Sequence, residues 1–522
     1  PHLARRHGVT QLIVDGKPFL MRAGELENSS ASSLPFLDKL WPRFEAMHLN
    51  TLIAPVYWNL IEPREGHFDF GSVDGLVDAA RAHHMHLVLL WFGSWKNSMS
   101  SYVPGWVKRD SRRFPRARRS DGAPMEILSA FSKANLEADS TAFVALMRHV
   151  KKKDAEYHTV VMVQVENEVG MIPEARDHGA LADAAFRAPV PTALVDYLAR
   201  HKNTLAPALK AGWQAHGDKT GADWDKTFGA GIATDELFTA WSEGRYTGAV
   251  AASGKAVYPL PMYVNAALVR PGKQPGQYPS GGPLPHLFDI WRAAAPAIDF
   301  FAPDIYFPDF RSWARRYVQP GKAFFIPETG RVSGAQMGAN ALYAYAQLGA
   351  MGYSSYAPEF LSTRDGQALG QAYAVVAQMT PLILAHQGTG KMVGVLPPTR
   401  FDGHVDLQPQ TVVFGHYTMT IDFHQPGSTS DKAQDTVAHG GLIIQTGPDD
   451  FWFAGIGMTV RFGLHDMPHA AAGIDAIRAG HFVHGHWVRG RQMNGDDDDQ
   501  GRYLRLPAGR FSIRHVRLYH YR

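Results

Sequence analysis

Short apolar runs alternate with stretches whose apolar residues recur at helical spacing from about residue 19 to residue 387. That alternation is the signature of strand–helix units laid around a parallel sheet. Eight strands are expected: Phe19–Ala23, Thr51–Pro55, His86–Trp91, Val160–Val165, Met262–Asn265, Phe300–Tyr306, Phe324–Glu328 and Tyr353–Tyr356. Helix-like segments such as 36–47, 73–83, 136–152, 310–318 and 336–348 lie between them. Eight alternations in one block favour an α/β chain closed into a (β/α)8 TIM barrel over an open doubly wound sheet. The turn pair Asp15-Gly16 predicts a small hairpin ahead of the first strand. Residues 171–259 are too many for one connection and carry helical patterns of their own, so they read as an insertion on the loop face.

Beyond a last helical stretch at 368–386 the texture changes to short alternating runs separated by Gly, Pro and Asp. The expectation is a barrel over 1–388 and an accessory all-β sandwich-like domain over 389–522, with the run from Phe482 to Val488 as one of its strands.

Composition narrows the function. The 522 residues are 45% hydrophobic and 19% charged, enough to bury a large core. Basic and acidic residues number 52 and 49, a formal charge of +3, which gives no reason to expect nucleic acid. No apolar run reaches the roughly 20 residues of a membrane span, so no membrane partner is expected. There is no Cys, so disulfides, thiol nucleophiles and cysteine-ligated metals are excluded. No Gly-rich phosphate loop follows an early strand, and no cofactor is expected.

In a barrel the reacting groups sit at the C-terminal strand ends. The fourth and seventh strands each run into a carboxylate, Glu168 and Glu328. Three places apart around an eight-stranded ring, the two can face each other across its mouth. Such a pair suits glycoside hydrolysis, one carboxyl protonating the leaving oxygen while the other attacks the anomeric carbon or activates water. Either Glu alone would more often be a solvated loop residue. Glu166 shares Glu168's face if the strand continues, so geometry leaves the choice between them open.

The run Gln164-Val165-Glu166-Asn167-Glu168-Val169-Gly170 resembles the Asn-Glu motif of the family 35 β-galactosidases of glycosidase clan A. Gly24-Glu25-Leu26, Tyr57-Trp58-Asn59-Leu60-Ile61-Glu62-Pro63, Gly66-His67-Phe68-Asp69-Phe70 and Pro104-Gly105-Trp106 follow the same family's order. The resemblance implies that Glu168 is the general acid/base, Glu328 the nucleophile, and Asn167 a donor to the hydroxyl beside the anomeric carbon. It implies retention through a glycosyl-enzyme, which needs carboxyls roughly 5–5.5 Å apart. Where many members carry Cys-Ala-Glu-Trp, this chain reads Gly93-Ser94-Trp95-Lys96-Asn97, placing Asn97 near the family's galactose-gripping Glu. Trp58, Trp95, Asn265 and Tyr306 complete the expected substrate contacts, with Tyr306 beside the nucleophile.

The resemblance thus implies an exo-acting β-galactosidase on a galactose-terminated oligosaccharide, within a bacterial branch associated with galactosylated xyloglucan. A clan A enzyme for another sugar and a catalytically silent sugar-binding protein are the alternatives. The chain starts at Pro1 with neither initiator Met nor apolar leader, which together with a polysaccharide substrate predicts a periplasmic or secreted address. His484 and His486 on one strand face, and Asp496–Asp499 in a hairpin loop, are weaker candidates for a cation.

Overall fold

Each of the eight apolar runs becomes a strand in the computed structural model, which describes residues 1–423, 437–498 and 501–522. The strands are Met21–Glu25, Thr51–Tyr57, His86–Lys96, Val160–Asn167, Met262–Ala267, Phe300–Ile305, the split segment Phe325–Ile326 and Glu328–Thr329, and Gly352–Tyr356. Pro327 lacks an amide hydrogen and interrupts the seventh. The order in the sheet starts on Phe325–Ile326 and ends on Glu328–Thr329, so eight strand positions run round a nearly closed sheet of the TIM-barrel type.

The central strands are buried along their whole length, as all eight positions of Val160–Asn167 show. This is why they read as continuous apolar runs rather than alternating ones. The third strand extends five residues beyond the expected Trp91, because buried carboxylates described below bind its amides.

Two compact units divide the chain. One comprises Pro1–His2, Leu26–Lys39 and Leu52–Asp304. In it His86–Lys96 pairs in parallel with Val160–Asn167, which pairs with Met262–Ala267, which pairs with Phe300–Ile305. The long stretch after the fourth strand folds as helices Ala180–Arg187, Thr192–Arg200, Pro207–Ala215 and Trp224–Phe228, then the 26-residue helix Ile232–Val257. Helix Lys133–Asp154 starts on Ser132, whose hydroxyl accepts the Asn135 amide, and ends on three lysines that suit the negative end of its dipole.

The other unit comprises Leu3–Glu25, Leu40–Thr51 and Ile305–Arg522. Its first strands form the hairpin turning at Asp15 and Gly16, both at positive φ. Met21–Glu25 pairs in parallel with Gly352–Tyr356, and that strand with Phe325–Ile326. Helix Thr363–His386 is long and apolar enough to cross a membrane, with a window hydropathy of 1.3, so an apolar stretch of that length does exist. Its Leu369, Tyr373, Val376, Met379 and Ile383 are buried, and Tyr373 donates to the Tyr353 carbonyl.

The C-terminal region is β-rich. It holds a six-stranded and a four-stranded antiparallel sheet whose inward residues, among them Met419, Ile421, Phe453, Val460 and Val516, share one apolar cluster. The expected strand from Phe482 to Val488 is instead a hairpin. His484 and Gly485 both take positive φ and reverse the chain between Ala471–Val483 and His486–Gln492.

Candidate active site

The fourth strand ends abnormally. Glu166 (φ 61°) and Glu168 (φ 45°) both occupy the left-handed region that non-glycine residues avoid. The pleat is therefore broken just where strand alternation would put the two carboxylates on one face. Glu166 turns inward, where its carboxylate accepts the Trp95 amide at 2.7 Å and the Ser94 amide at 3.2 Å.

Asp139, on helix Lys133–Asp154, completes that inner cluster by accepting the Trp91 indole at 2.9 Å and the Ser94 amide at 3.1 Å. Gly93 is required there, since a Cβ would lie 2.6 Å from a Glu166 oxygen and 2.9 Å from one of Asp139. Burial, then the charge of Asp139, holds Glu166 well above the usual carboxylate range, and burial raises Asp139 too. Two desolvated carboxyls side by side retain a proton between them. Glu166 is thus a buried brace for the end of the third strand.

Glu168 stands one residue past the strand and half-buried. Its amide donates to Asn265 Oδ1 at 2.8 Å, and Asn265 Nδ2 donates to Asp304 Oδ2 at 2.6 Å. The ends of the fourth, fifth and sixth strands are tied together this way. Asn97 and Ser98 form a tight reversal at φ 51° and 59°, closed by the Lys96 amide on the Met99 carbonyl. The Asn97 amide donates to the Asn167 carbonyl at 3.1 Å and the Ser98 amide to the Glu168 carbonyl at 3.2 Å. Asn167, Glu168, Asn97 and Asn265 therefore share one strand-end cluster.

The two tryptophans are placed differently. Trp95 is 1% exposed, with its ring 4.4 Å from that of Tyr246 and its indole on the Leu128 carbonyl. Trp58 is fully buried and donates to Glu62 at 2.7 Å. Both rings are packed inside the protein.

In the second unit, Glu328 is 4% exposed and its Oε2 accepts the Tyr306 hydroxyl at 2.6 Å. The Tyr306 ring packs edge-on against Tyr356, with the Arg331 guanidinium 5.7 Å from its centre. A hydroxyl aimed at one carboxylate oxygen fixes the carboxylate's rotation. Tyr306→Phe is expected to lower kcat roughly ten- to a hundredfold, the size of one hydrogen bond to a charged group. KM should stay within about twofold, because the lost contact is to the carboxylate and not to the substrate. An unchanged kcat in a folded variant would refute this role.

Residues 38–216 match the family model described as beta-galactosidase. Residues 369–505 match one described as a domain of unknown function. A β-galactosidase of Xanthomonas manihotis is 29% identical over 181 residues, 33% of this chain and 27% of its own. The match thus spans about a quarter of that relative's length. Among solved structures, the β-galactosidase of Marinomonas ef1 aligns with a TM-score of 0.49 at 11% identity, over 73% of this chain and 62% of its own. That of Rahnella sp. R3 gives 0.48 at 17% identity, over 72% and 58%.

The β-galactosidase match includes Asn97, Asn167 and Glu168 and stops before Glu328. Asp139, Tyr246 and Asp304 are the cluster members that sequence reasoning missed. Asp304 had a signal, a lone acid inside the apolar run Phe300–Ile305. Asp139 had none, since an acid on a helix reads as solvated. Of the weaker candidates, His484 lies in the turn and His486 on the following strand, so they do not share a strand face. Asp498 is buried, accepts the Arg505 amide, and is pushed up to about 6 by burial. Asp499 lies outside the described residues.

Proposed function

We propose that the protein is a retaining, exo-acting β-galactosidase with Glu168 as acid/base and Glu328 as nucleophile. The observation carrying the reading is the Tyr306 hydroxyl on Glu328 Oε2, which holds a buried carboxylate in one orientation. The β-galactosidase match around Asn167 and Glu168 supports the choice of partner.

In the first step Glu328 attacks the anomeric carbon while Glu168 gives its proton to the departing oxygen, breaking the glycosidic bond. In the second, Glu168 takes a proton from water, whose oxygen displaces Glu328 and restores the original anomeric configuration. Asn167 donates to the neighbouring hydroxyl, an interaction that strengthens as positive charge grows on the ring. Family 35 membership, a galactosylated xyloglucan fragment as substrate, a periplasmic or secreted address, and a barrel over 1–388 with a sandwich-like accessory domain over 389–522 belong to the same proposal.

A panel of nitrophenyl glycosides and xyloglucan oligosaccharides tests it. β-Galactosides should be cleaved, releasing single galactose units from chain ends, with the β-anomer appearing first by proton NMR. An α-anomer first would refute retention. Turnover of another glycoside alone would favour the clan A alternative, for which the observation is Asn97 where many relatives carry a Glu. Xyloglucan fragments left intact while other β-galactosides are cleaved would remove that substrate.

A further inference from the structure

We infer that the buried carboxyls of Asp139 and Glu166 are positioning residues for the acid/base: they set the end of the third strand, and the reversal that follows it holds the backbone of Asn167 and Glu168. The inference rests on the glycosidase reading, in which Glu168 is the proton donor.

Ladder pairing alone does not carry the third strand to that reversal. Trp91 pairs with Val165 and Lys96 with Asn167, so the four residues from Phe92 to Trp95 stand opposite Glu166 alone. The surplus bulges away from its neighbour, and the buried amides of Ser94 and Trp95 must find acceptors elsewhere. Trp95 donates to Glu166 Oε2 at 2.7 Å, and the Ser94 amide is shared between Asp139 Oδ2 at 3.1 Å and Glu166 Oε1 at 3.2 Å. The Trp91 indole takes Asp139 Oδ1 at 2.9 Å. All four carboxyl oxygens therefore accept an N–H, and the bulge is closed by one side chain from the facing strand and one from helix Lys133–Asp154.

The bulge leads straight into the acid/base. Lys96 closes the reversal on Met99 through amide–carbonyl bonds of 2.7 and 3.1 Å, and its ammonium donates to Asn97 Oδ1 at 2.5 Å. The next two amides, of Asn97 and Ser98, bind the carbonyls of Asn167 and Glu168. A general acid must reach its target oxygen at about 2.6–3.2 Å, so a shift of the bulge is felt in proton delivery.

The two carboxyls are not interchangeable. Burial and the charge of Asp139 keep the proton on Glu166, which donates it to Asp139. Glu166 is then both donor and acceptor, as an amide side chain also is, whereas Asp139 is acceptor only. Gln suits position 166. Asn does not suit position 139, because its amide nitrogen would face the Trp91 indole or the Ser94 amide, both donors.

The test compares wild type, Glu166→Leu, Glu166→Gln and Asp139→Asn by kcat/KM, which reports bond breaking. The substrates are galactosylated oligosaccharides and β-galactosyl fluoride, whose leaving group departs without a proton. Glu166→Leu and Asp139→Asn should each lose at least about tenfold on the oligosaccharides and stay within about threefold of wild type on the fluoride. Glu166→Gln should recover the oligosaccharide rate to within about threefold. Equal losses on both substrates would leave the pair a structural brace and overturn the inference, as would no loss, or Glu166→Gln falling as far as Asp139→Asn. If Glu166→Leu does not fold, the contrast between Asp139→Asn and Glu166→Gln decides. Should wild type cleave no glycoside, the galactosidase reading falls, and amide hydrogen exchange decides whether the pair sets the strand end. Asn97 and Ser98 must then exchange at least about tenfold faster in Asp139→Asn than in wild type and Glu166→Gln; equal exchange in all three would overturn it.

Discussion

Replacing Glu328 with Gln is expected to abolish turnover of every β-galactoside, by at least about a hundredfold and independently of the leaving group. Glu168→Gln should cost about a hundred- to ten-thousandfold on poor leaving groups and far less in the bond-breaking step on good ones, which need no proton. The contrast separates the roles. An amide at 328 replaces an anionic carboxylate with a neutral, weakly nucleophilic group, so both fluoride and sugar leaving groups fail. An amide at 168 removes a proton donor, and a leaving group stable as an anion departs without one. With good leaving groups the second step, where Glu168 activates water, then limits the rate, and a burst of product should precede slow turnover. Steady-state and burst kinetics on fluoride, dinitrophenyl and oligosaccharide substrates would show it. Glu328→Gln retaining rapid cleavage would refute the assignment, whereas loss in Glu168→Gln equal for all leaving groups would refute only the acid role.

The second large effect concerns stability. Glu243, on helix Ile232–Val257, is 2% exposed; burial, and then the charge of Asp177, push its carboxyl up to about 8. Asp177 keeps its own charge satisfied by the Ser129 hydroxyl and the amides of Arg118 and Gly179. The folded state therefore binds the Glu243 proton more tightly than the unfolded chain, where an ordinary Glu titrates near 4.5. This contribution is fully present below pH of about 4.5 and is lost as pH rises through about 8. The full swing is on the order of 5 kcal/mol. Glu243→Gln keeps the neutral shape at all pH values. It should melt within a degree or so of wild type at pH 5 and several degrees above it at pH 8 to 9. Parallel melting curves across that range would show that Glu243 is neutralised in some other way.

The barrel was legible because its strands are buried on both sides and so read as apolar blocks of strand length, and because Glu168 and Glu328 end two of those blocks. What escaped the sequence depends on departures from regular geometry or on distant partners. The left-handed backbone at Glu166 and Glu168 separates two side chains that strand alternation places together. The Asp139–Glu166 pairing joins a helix to a strand end and leaves no mark in spacing. Trp58 and Trp95 offered the composition of a sugar-binding surface, but aromatic content does not say which face is open, and both rings are buried. In the C-terminal region, His484-Gly485 lacks the usual Asn-Gly or Asp-Gly turn pair, so two strands read as one.

The pairing of Met21–Glu25 with Gly352–Tyr356 has a bearing on biosynthesis. An early strand waits for a neighbour made more than three hundred residues later, and at about 5–20 residues per second the ribosome takes tens of seconds to deliver it. Throughout that interval the edge of Met21–Glu25 that Gly352–Tyr356 later covers is open to wrong partners, and the demand on chaperones falls on the earlier of the two strands.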